Sequence, residues 1–214
     1  MSCAICRTRK PRRFCPGVHG DICTLCCGAE REVTVECPFD CPYLQEARKH
    51  EHAAPLESGE YPNRDIHVTE EFLGDHDSLL MAAAKTLMLA AFDTPGTVDR
   101  DVLDALDALI RTQRTLESGV YYESRPDNAL AGRIFTFTQA GLEEFRTREH
   151  DELGLSRTRD SDVLKMLVFL QRLGLSRNNG RSRGRAFLDF LRGFLSEAEG
   201  AAQPVPRGSS LIVP

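Results

Sequence analysis

The chain has 214 residues, of which 41% are hydrophobic, and its formal net charge is −5. This length suffices for one ordinary domain plus a small module, and the acidic balance excludes a wholly basic surface of the kind that coats nucleic acid. No apolar run approaches the roughly 20 residues that span a bilayer, and the first residues lack the apolar core of a signal peptide. We therefore expect a soluble, cytoplasmic protein with no membrane partner.

The eight cysteines all lie between Cys3 and Cys41. A disulfide framework would require an oxidising compartment, whereas closely spaced cysteines in a reducing one more often bind metal or do redox chemistry. Two Cys-x-x-Cys pairs stand out, one beginning at Cys3 and the other at Cys23. Two such pairs complete a tetrahedral zinc site with Zn–S bonds of about 2.3 Å. The spacing therefore predicts a local zinc module.

The candidate ligands form one ordered series along the module. They are Cys3, Cys6, Cys15, His19, Cys23, Cys26, Cys27, Cys37 and Cys41. The order resembles the eight-ligand cross-brace of RING and B-box zinc domains, in which the first and third ligand pairs share one ion and the second and fourth share the other. The resemblance implies one ion on Cys3, Cys6, Cys23 and Cys26, and a second on Cys15, His19, Cys37 and Cys41. Cys27 is a ninth candidate that could replace His19 or Cys26.

The predicted cofactor is Zn²⁺, with two structural ions. A catalytic zinc keeps one coordination position open for water, and a site filled by four protein ligands has none. Four thiolates would also suit an iron–sulfur cluster, although His19 and the eight-ligand order favour zinc. Zinc would substitute for a hydrophobic core that a segment of about fifty residues can barely build.

The rest of the chain is predicted to be helical. Residues 1–52 form the zinc module, 53–66 a linker rich in turn formers, 67–197 a helical bundle and 198–214 a disordered tail. Apolar residues recur at helical spacing in five segments, 79–92, 98–116, 130–145, 163–175 and 187–195. The predicted fold is therefore a small zinc-stabilised N-terminal module followed by an all-α helical bundle of about five helices.

Two segments resemble uncharacterised bacterial proteins that join such a module to a helical domain. One is the cysteine-containing run 22–44, and the other is Arg-Ala-Phe-Leu-Asp-Phe-Leu-Arg at 185–192. That family has no established activity. The resemblance implies the two-part architecture and leaves the function open.

No enzyme class has a positive motif in this sequence, which lacks a phosphate loop, a nucleophile elbow and a His-Glu-x-x-His helix. We expect a zinc-binding, non-enzymatic protein that serves as a protein-interaction, adaptor or regulatory module. One alternative is a nucleic-acid-associated regulator that uses two basic loops, Arg7, Arg9, Lys10, Arg12 and Arg13, and Arg177, Arg181, Arg183, Arg185 and Arg192. Another is a thiol redox sensor at Cys27.

Overall fold

The computed structural model describes residues 2–52, 61–119, 122–155 and 157–202, without the side chains of 199–202. Two strands and eight helices lie within these residues. They are β1 (Arg13–Cys15), β2 (Gly20–Ile22), α1 (Thr24–Glu30), α2 (Pro42–Arg48), α3 (Glu70–Asp75), α4 (Asp77–Phe92), α5 (Asp99–Glu117), α6 (Ala129–Leu153), α7 (Asp160–Arg177) and α8 (Ala186–Ala202). None of these helices combines the length and apolarity needed to cross a membrane.

The predicted helical character is confirmed, but the count of about five helices is too low. The five apolar stripes correspond to α4 through α8. The difference comes from α1, α2 and α3, which have seven, seven and six residues. Helices of fewer than two turns are too short to show a 3.6-residue apolar period.

Part of the predicted linker and part of the predicted tail are described. Asn63 lies against the bundle, because its side chain donates to Gln171 Oε1 at 2.9 Å and accepts from Arg114 Nη2 at 2.9 Å. The last helix continues to Ala202, past residue 198 where the tail was predicted to begin. Residues 53–60 and 203–214 lie outside the described residues.

Helices α4 through α8 surround one hydrophobic core. Helix α5 packs against α6 and α7, and α4 packs against α6 and α8. Each of the five helices contributes a fully buried side chain, as Leu87, Leu106, Phe135, Leu167 and Phe187 do. The apolar stripes of the sequence therefore supply the inward faces of a bundle, except that Phe92, Phe137 and Phe194 are exposed.

A second, smaller core lies in the N-terminal segment. Strands β1 and β2 form an antiparallel hairpin that pairs Cys15 with Gly20. Only three of the buried residues in this core are not cysteines, namely Ile22, Val35 and Leu44. The other six are Cys3, Cys15, Cys23, Cys26, Cys37 and Cys41. A core this poor in large apolar side chains supplies little hydrophobic stabilisation of its own.

Candidate metal centre

Four cysteines of the N-terminal segment form one compact cluster. The Sγ atoms of Cys3, Cys6, Cys23 and Cys26 all lie within 4.8 Å of one another. The first pair lies in the loop before β1, and the second lies at the N-terminal end of α1. Among the described residues this is the one set of three or more His, Cys, Asp or Glu side chains with that spacing. The cluster could hold a metal ion such as zinc.

Backbone amides point at the sulfurs of this cluster. The amide of Cys23 donates to Cys3 Sγ at 3.3 Å, and the amide of Cys26 donates to Cys23 Sγ at 3.4 Å. The loop after Cys6 turns through Arg7, whose φ is +56°. Amide donors of this kind stabilise a thiolate, which is the form of cysteine that binds metal.

The metal-free sulfurs differ widely in acidity. Burial, followed by contacts with the Cys23, Cys6 and Cys3 side chains, raises the pKa of Cys26 to about 12. Hydrogen bonds from the Thr8 side chain and backbone lower the pKa of Cys6 to about 5. Without a cation, the cluster therefore keeps at least one proton at neutral pH. A divalent ion would replace that proton and neutralise the repulsion among the sulfurs.

The fit to zinc can be judged from the sulfur spacing. Tetrahedral zinc with Zn–S bonds of about 2.3 Å places neighbouring sulfurs about 3.8 Å apart. The observed separations, all within 4.8 Å, require a contraction of about 1 Å at most to reach that value. Four thiolates fill the tetrahedron. The cluster suits a structural ion and leaves no position for a catalytic water.

The remaining cysteines surround a small apolar cavity. Its volume is about 10 Å³, and Cys15, Cys27, Cys37 and Cys41 line it together with Cys26 of the first cluster. Burial raises the pKa of Cys37, and the nearby Cys15 and Cys41 thiols act in the same direction. These sulfurs lie farther apart than those of the first cluster, since no three of them meet the 4.8 Å spacing.

Cys27 has two cationic neighbours that the sequence did not reveal. Arg13 Nη1 lies 3.6 Å and Arg31 Nη2 lies 3.8 Å from its Sγ. His19 lies elsewhere, because it is exposed in the turn between β1 and β2, with a φ of +51°, and is not among the residues that line the cavity. The structure therefore places Cys27 at the cavity and His19 at the surface.

A buried glutamate joins the N-terminal segment to the bundle. The Glu32 side chain is 0% exposed and accepts hydrogen bonds from Arg48 Nη2 at 2.6 Å, Asn179 Nδ2 at 2.9 Å and the Arg185 amide at 3.0 Å. Its backbone has a φ of +53°, an unusual conformation for a residue with a Cβ. No sequence signal marked this residue, since a single glutamate is usually exposed.

The second basic loop contacts this same segment. Arg181 Nη1 donates to the Arg31 carbonyl at 2.5 Å, and the Arg185 guanidinium donates to the Cys37 carbonyl. The Arg185 guanidinium also lies 4.3 Å from the centre of the Phe39 ring. Arg181 and Arg185, which were predicted to contact phosphates, instead make hydrogen bonds within the protein. The first loop is divided. Arg7, Lys10 and Arg12 are exposed, whereas Arg9 is hydrogen-bonded to the Cys23 side chain and Arg13 contacts Cys27.

Comparisons of this chain with protein-family models, curated proteins and solved structures found no match. Its function is therefore inferred from its own residues.

Proposed function

We propose that the protein is a non-enzymatic zinc protein in which structural zinc holds residues 1–52 folded as a protein-interaction or adaptor module on a helical bundle of residues 67–197. The observation that carries this proposal is the cluster of Cys3, Cys6, Cys23 and Cys26, which supplies all four ligands of a closed site. The proposal includes a second structural zinc ion on Cys15, Cys37 and Cys41 with a fourth ligand. It places the protein in the cytoplasm, where thiols stay reduced.

The small core of the module supports a structural role for the metal. Most of its buried residues are cysteines, and the apolar remainder is Ile22, Val35 and Leu44. Burying three aliphatic side chains contributes about 5–9 kcal/mol, at about 1.5–3 kcal/mol each. Metal binding adds folding free energy to a segment this poor in apolar side chains, because the assembled site does not exist in the unfolded chain.

The exposed surface of the module supports a protein partner. Phe14 on β1 is 58% exposed and Leu25 on α1 is 62% exposed, while Lys10 and Arg12 nearby in sequence are also exposed. Aromatic residues and arginine are enriched at protein interfaces. We therefore propose a partner with an apolar surface flanked by acidic groups, bound through these exposed side chains of the module.

The two alternative functions, a nucleic-acid-associated regulator and a thiol redox sensor, are each supported by fewer observations. The exposed side chains of Arg7, Lys10 and Arg12 favour nucleic acid. Arg9 and Arg13 of the first loop, like Arg181 and Arg185 of the second, instead make contacts within the protein. The redox-sensor alternative is supported by the position of Cys27, which is half-buried beside the guanidinium groups of Arg13 and Arg31 and lies outside the four-cysteine cluster. Neither alternative accounts for the four-cysteine cluster.

A capture experiment with matched surface variants tests the adaptor role. The bait is the zinc-loaded full chain as wild type, as Phe14→Ser/Leu25→Ser, and as Phe137→Ser, a control on α6 whose ring is 45% exposed. We expect the wild type and the control to retain the same partner and the double variant to lose it, with zinc content unchanged in all three. Equal capture by all three would contradict the proposed surface. Capture abolished by nuclease would favour the nucleic-acid alternative.

A further inference from the structure

We infer that the second zinc ion is bound by Cys15, Cys27, Cys37 and Cys41, so that Cys27 and not His19 is the fourth ligand. This inference rests on the proposed function in one respect, namely that the module binds two zinc ions. It goes further by assigning an all-sulfur ligand set. It also assigns Arg13 and Arg31 the role of holding the Cys27 sulfur in place.

The size and lining of the cavity fit a single ion. A volume of about 10 Å³ is close to that of one water-sized probe, whereas sites for small molecules are usually about 300–1,000 Å³. Cys15 comes to it from β1, Cys27 from α1, and Cys37 and Cys41 from the segment before α2. Four thiols that line one cavity of this size have the chemistry of a thiolate metal site.

The position of Cys27 on α1 explains how adjacent cysteines can serve two sites. Successive residues of a helix differ in direction by about 100°. Cys26 lies in the first cluster, with its Sγ within 4.8 Å of the other three sulfurs. Cys27 is not a member of that cluster and lines the cavity with Cys15, Cys37 and Cys41, while Cys26 borders the cavity as well. The pair Cys26-Cys27 can thus divide its two sulfurs between neighbouring ions.

Two guanidinium groups support the Cys27 sulfur as a ligand. Arg13 Nη1 and Arg31 Nη2 lie 3.6 Å and 3.8 Å from it, at distances compatible with N–H···S hydrogen bonds. A zinc ion with four thiolates carries net negative charge, which these cations offset. The Arg13 guanidinium is itself fixed 4.0 Å from the centre of the Tyr43 ring. Donors that orient a ligand in this way are a regular part of metal sites.

The two other candidates for the fourth ligand are excluded by their surroundings. His19 is exposed in the hairpin turn and does not border the cavity. Both carboxylate oxygens of Glu32 already accept hydrogen bonds, Oε1 from Arg48 and Oε2 from Asn179. Zinc binding would draw the four sulfurs inward, to separations of about 3.8 Å.

Matched alanine variants of the full chain test this assignment through zinc content. We expect two zinc ions per chain for the wild type, one for Cys27→Ala and two for His19→Ala. Cys15→Ala serves as a positive control and should also retain one ion. One ion in His19→Ala with two in Cys27→Ala would overturn the assignment.

X-ray absorption spectroscopy of the zinc-loaded wild-type protein tests the ligand set without any substitution. The result therefore does not depend on whether a variant folds. We expect a single sulfur shell at about 2.3 Å, without the nitrogen shell at about 2.0–2.1 Å that a histidine ligand would add. A nitrogen shell would overturn the assignment.

The failure of the two-zinc proposal has a different signature. If the wild type holds one zinc ion and Cys3→Ala holds none, there is no second site and this inference fails. The proposal of a structural zinc in the first cluster would still stand. A wild type with two ions that are both retained in Cys27→Ala would refute this inference alone.

Discussion

Replacing Glu32 by alanine should loosen the attachment of the N-terminal segment to the bundle. The substitution removes three hydrogen bonds to a side chain that is 0% exposed, from Arg48, Asn179 and the Arg185 amide. Breaking a buried ion pair from one side costs about 3–5 kcal/mol when the remaining charge is left unpaired. Arg48 keeps Glu51 as a partner at 2.6 Å, so its charge stays compensated. We therefore expect a cost at the lower end, about 3 kcal/mol.

A glycine at the same position separates the side-chain contribution from the backbone contribution. The φ of Glu32 is +53°, a conformation that costs an L-residue roughly 1–2 kcal/mol and costs glycine almost nothing. Glu32→Gly loses the same hydrogen bonds as Glu32→Ala but avoids the conformational cost of a positive φ. It should therefore be more stable than the alanine variant by about 1 kcal/mol, the reverse of the usual order.

The assay is urea unfolding of the zinc-loaded full chain, followed by far-ultraviolet circular dichroism. Glu36→Ala is the control, because Glu36 is close in sequence but its side chain is 58% exposed and lies 3.9 Å from a half-exposed Arg183. Exposed pairs contribute about 0–1 kcal/mol, so the control should resemble the wild type. The reasoning would be refuted if Glu32→Ala cost no more than Glu36→Ala, or if the glycine variant were the less stable of the two.

Three further predictions concern the bundle and the first cluster. Gly141→Ala should destabilise the protein by about 1–3 kcal/mol, because a Cβ there would collide with Thr86 of α4. Gly132→Ala on the same helix is the control, since a Cβ there meets nothing within 4 Å and the change should be neutral or stabilising. Equal unfolding midpoints for the two variants would contradict this reasoning. Burial raises the pKa of Asp99 to about 6, so the folded state binds an extra proton between about pH 4 and pH 6. Relative to Asp99→Asn, the wild type should gain up to about 3 kcal/mol of stability as the pH falls through that range, and a gain on raising the pH would refute it. Because Cys26 is protonated without metal, with a pKa of about 12, zinc binding should release at least one proton, and the logarithm of zinc affinity should rise by at least about one unit per pH unit between about pH 6 and pH 8. An affinity independent of pH would contradict the ligand role of Cys26.

Much of the bundle could be predicted because its helices are long and their apolar stripes are regular. In α4, for example, Leu79, Ala83, Ala84, Leu87 and Ala91 of the predicted stripe are buried, while Phe92 at its end is exposed. The short helices could not be found this way. Helix α1 begins at Thr24, and its buried residue is Cys26, whose spacing serves a sulfur cluster and not an apolar face.

The attachment of the module to the bundle could not be predicted, because it depends on polar contacts between distant residues. Glu32 meets Asn179, which lies 147 positions away in the sequence. The arginines near Asn179 form the second of the two basic loops for which nucleic-acid phosphates were the predicted contacts. In the structure Arg185 instead contacts the Cys37 carbonyl and the Phe39 ring. Sequence shows the charge of such residues, while only the fold shows what they face.

The candidate site was predicted in part. The two Cys-x-x-Cys pairs predicted which four sulfurs would meet, because a fixed local turn presents both thiols of a pair to one point. Whether His19 or Cys27 lies near the remaining cysteines depends on the direction of each side chain from its turn or helix, which spacing alone does not determine.

Zinc analysis of the pure, folded full chain tests the central claim most directly. The protein would be prepared without added metal and its folding checked by circular dichroism. The account predicts two zinc ions per chain and loss of the folded N-terminal module when a chelator removes them. A folded protein whose cysteines are intact but hold no zinc, or hold iron in its place, would contradict it.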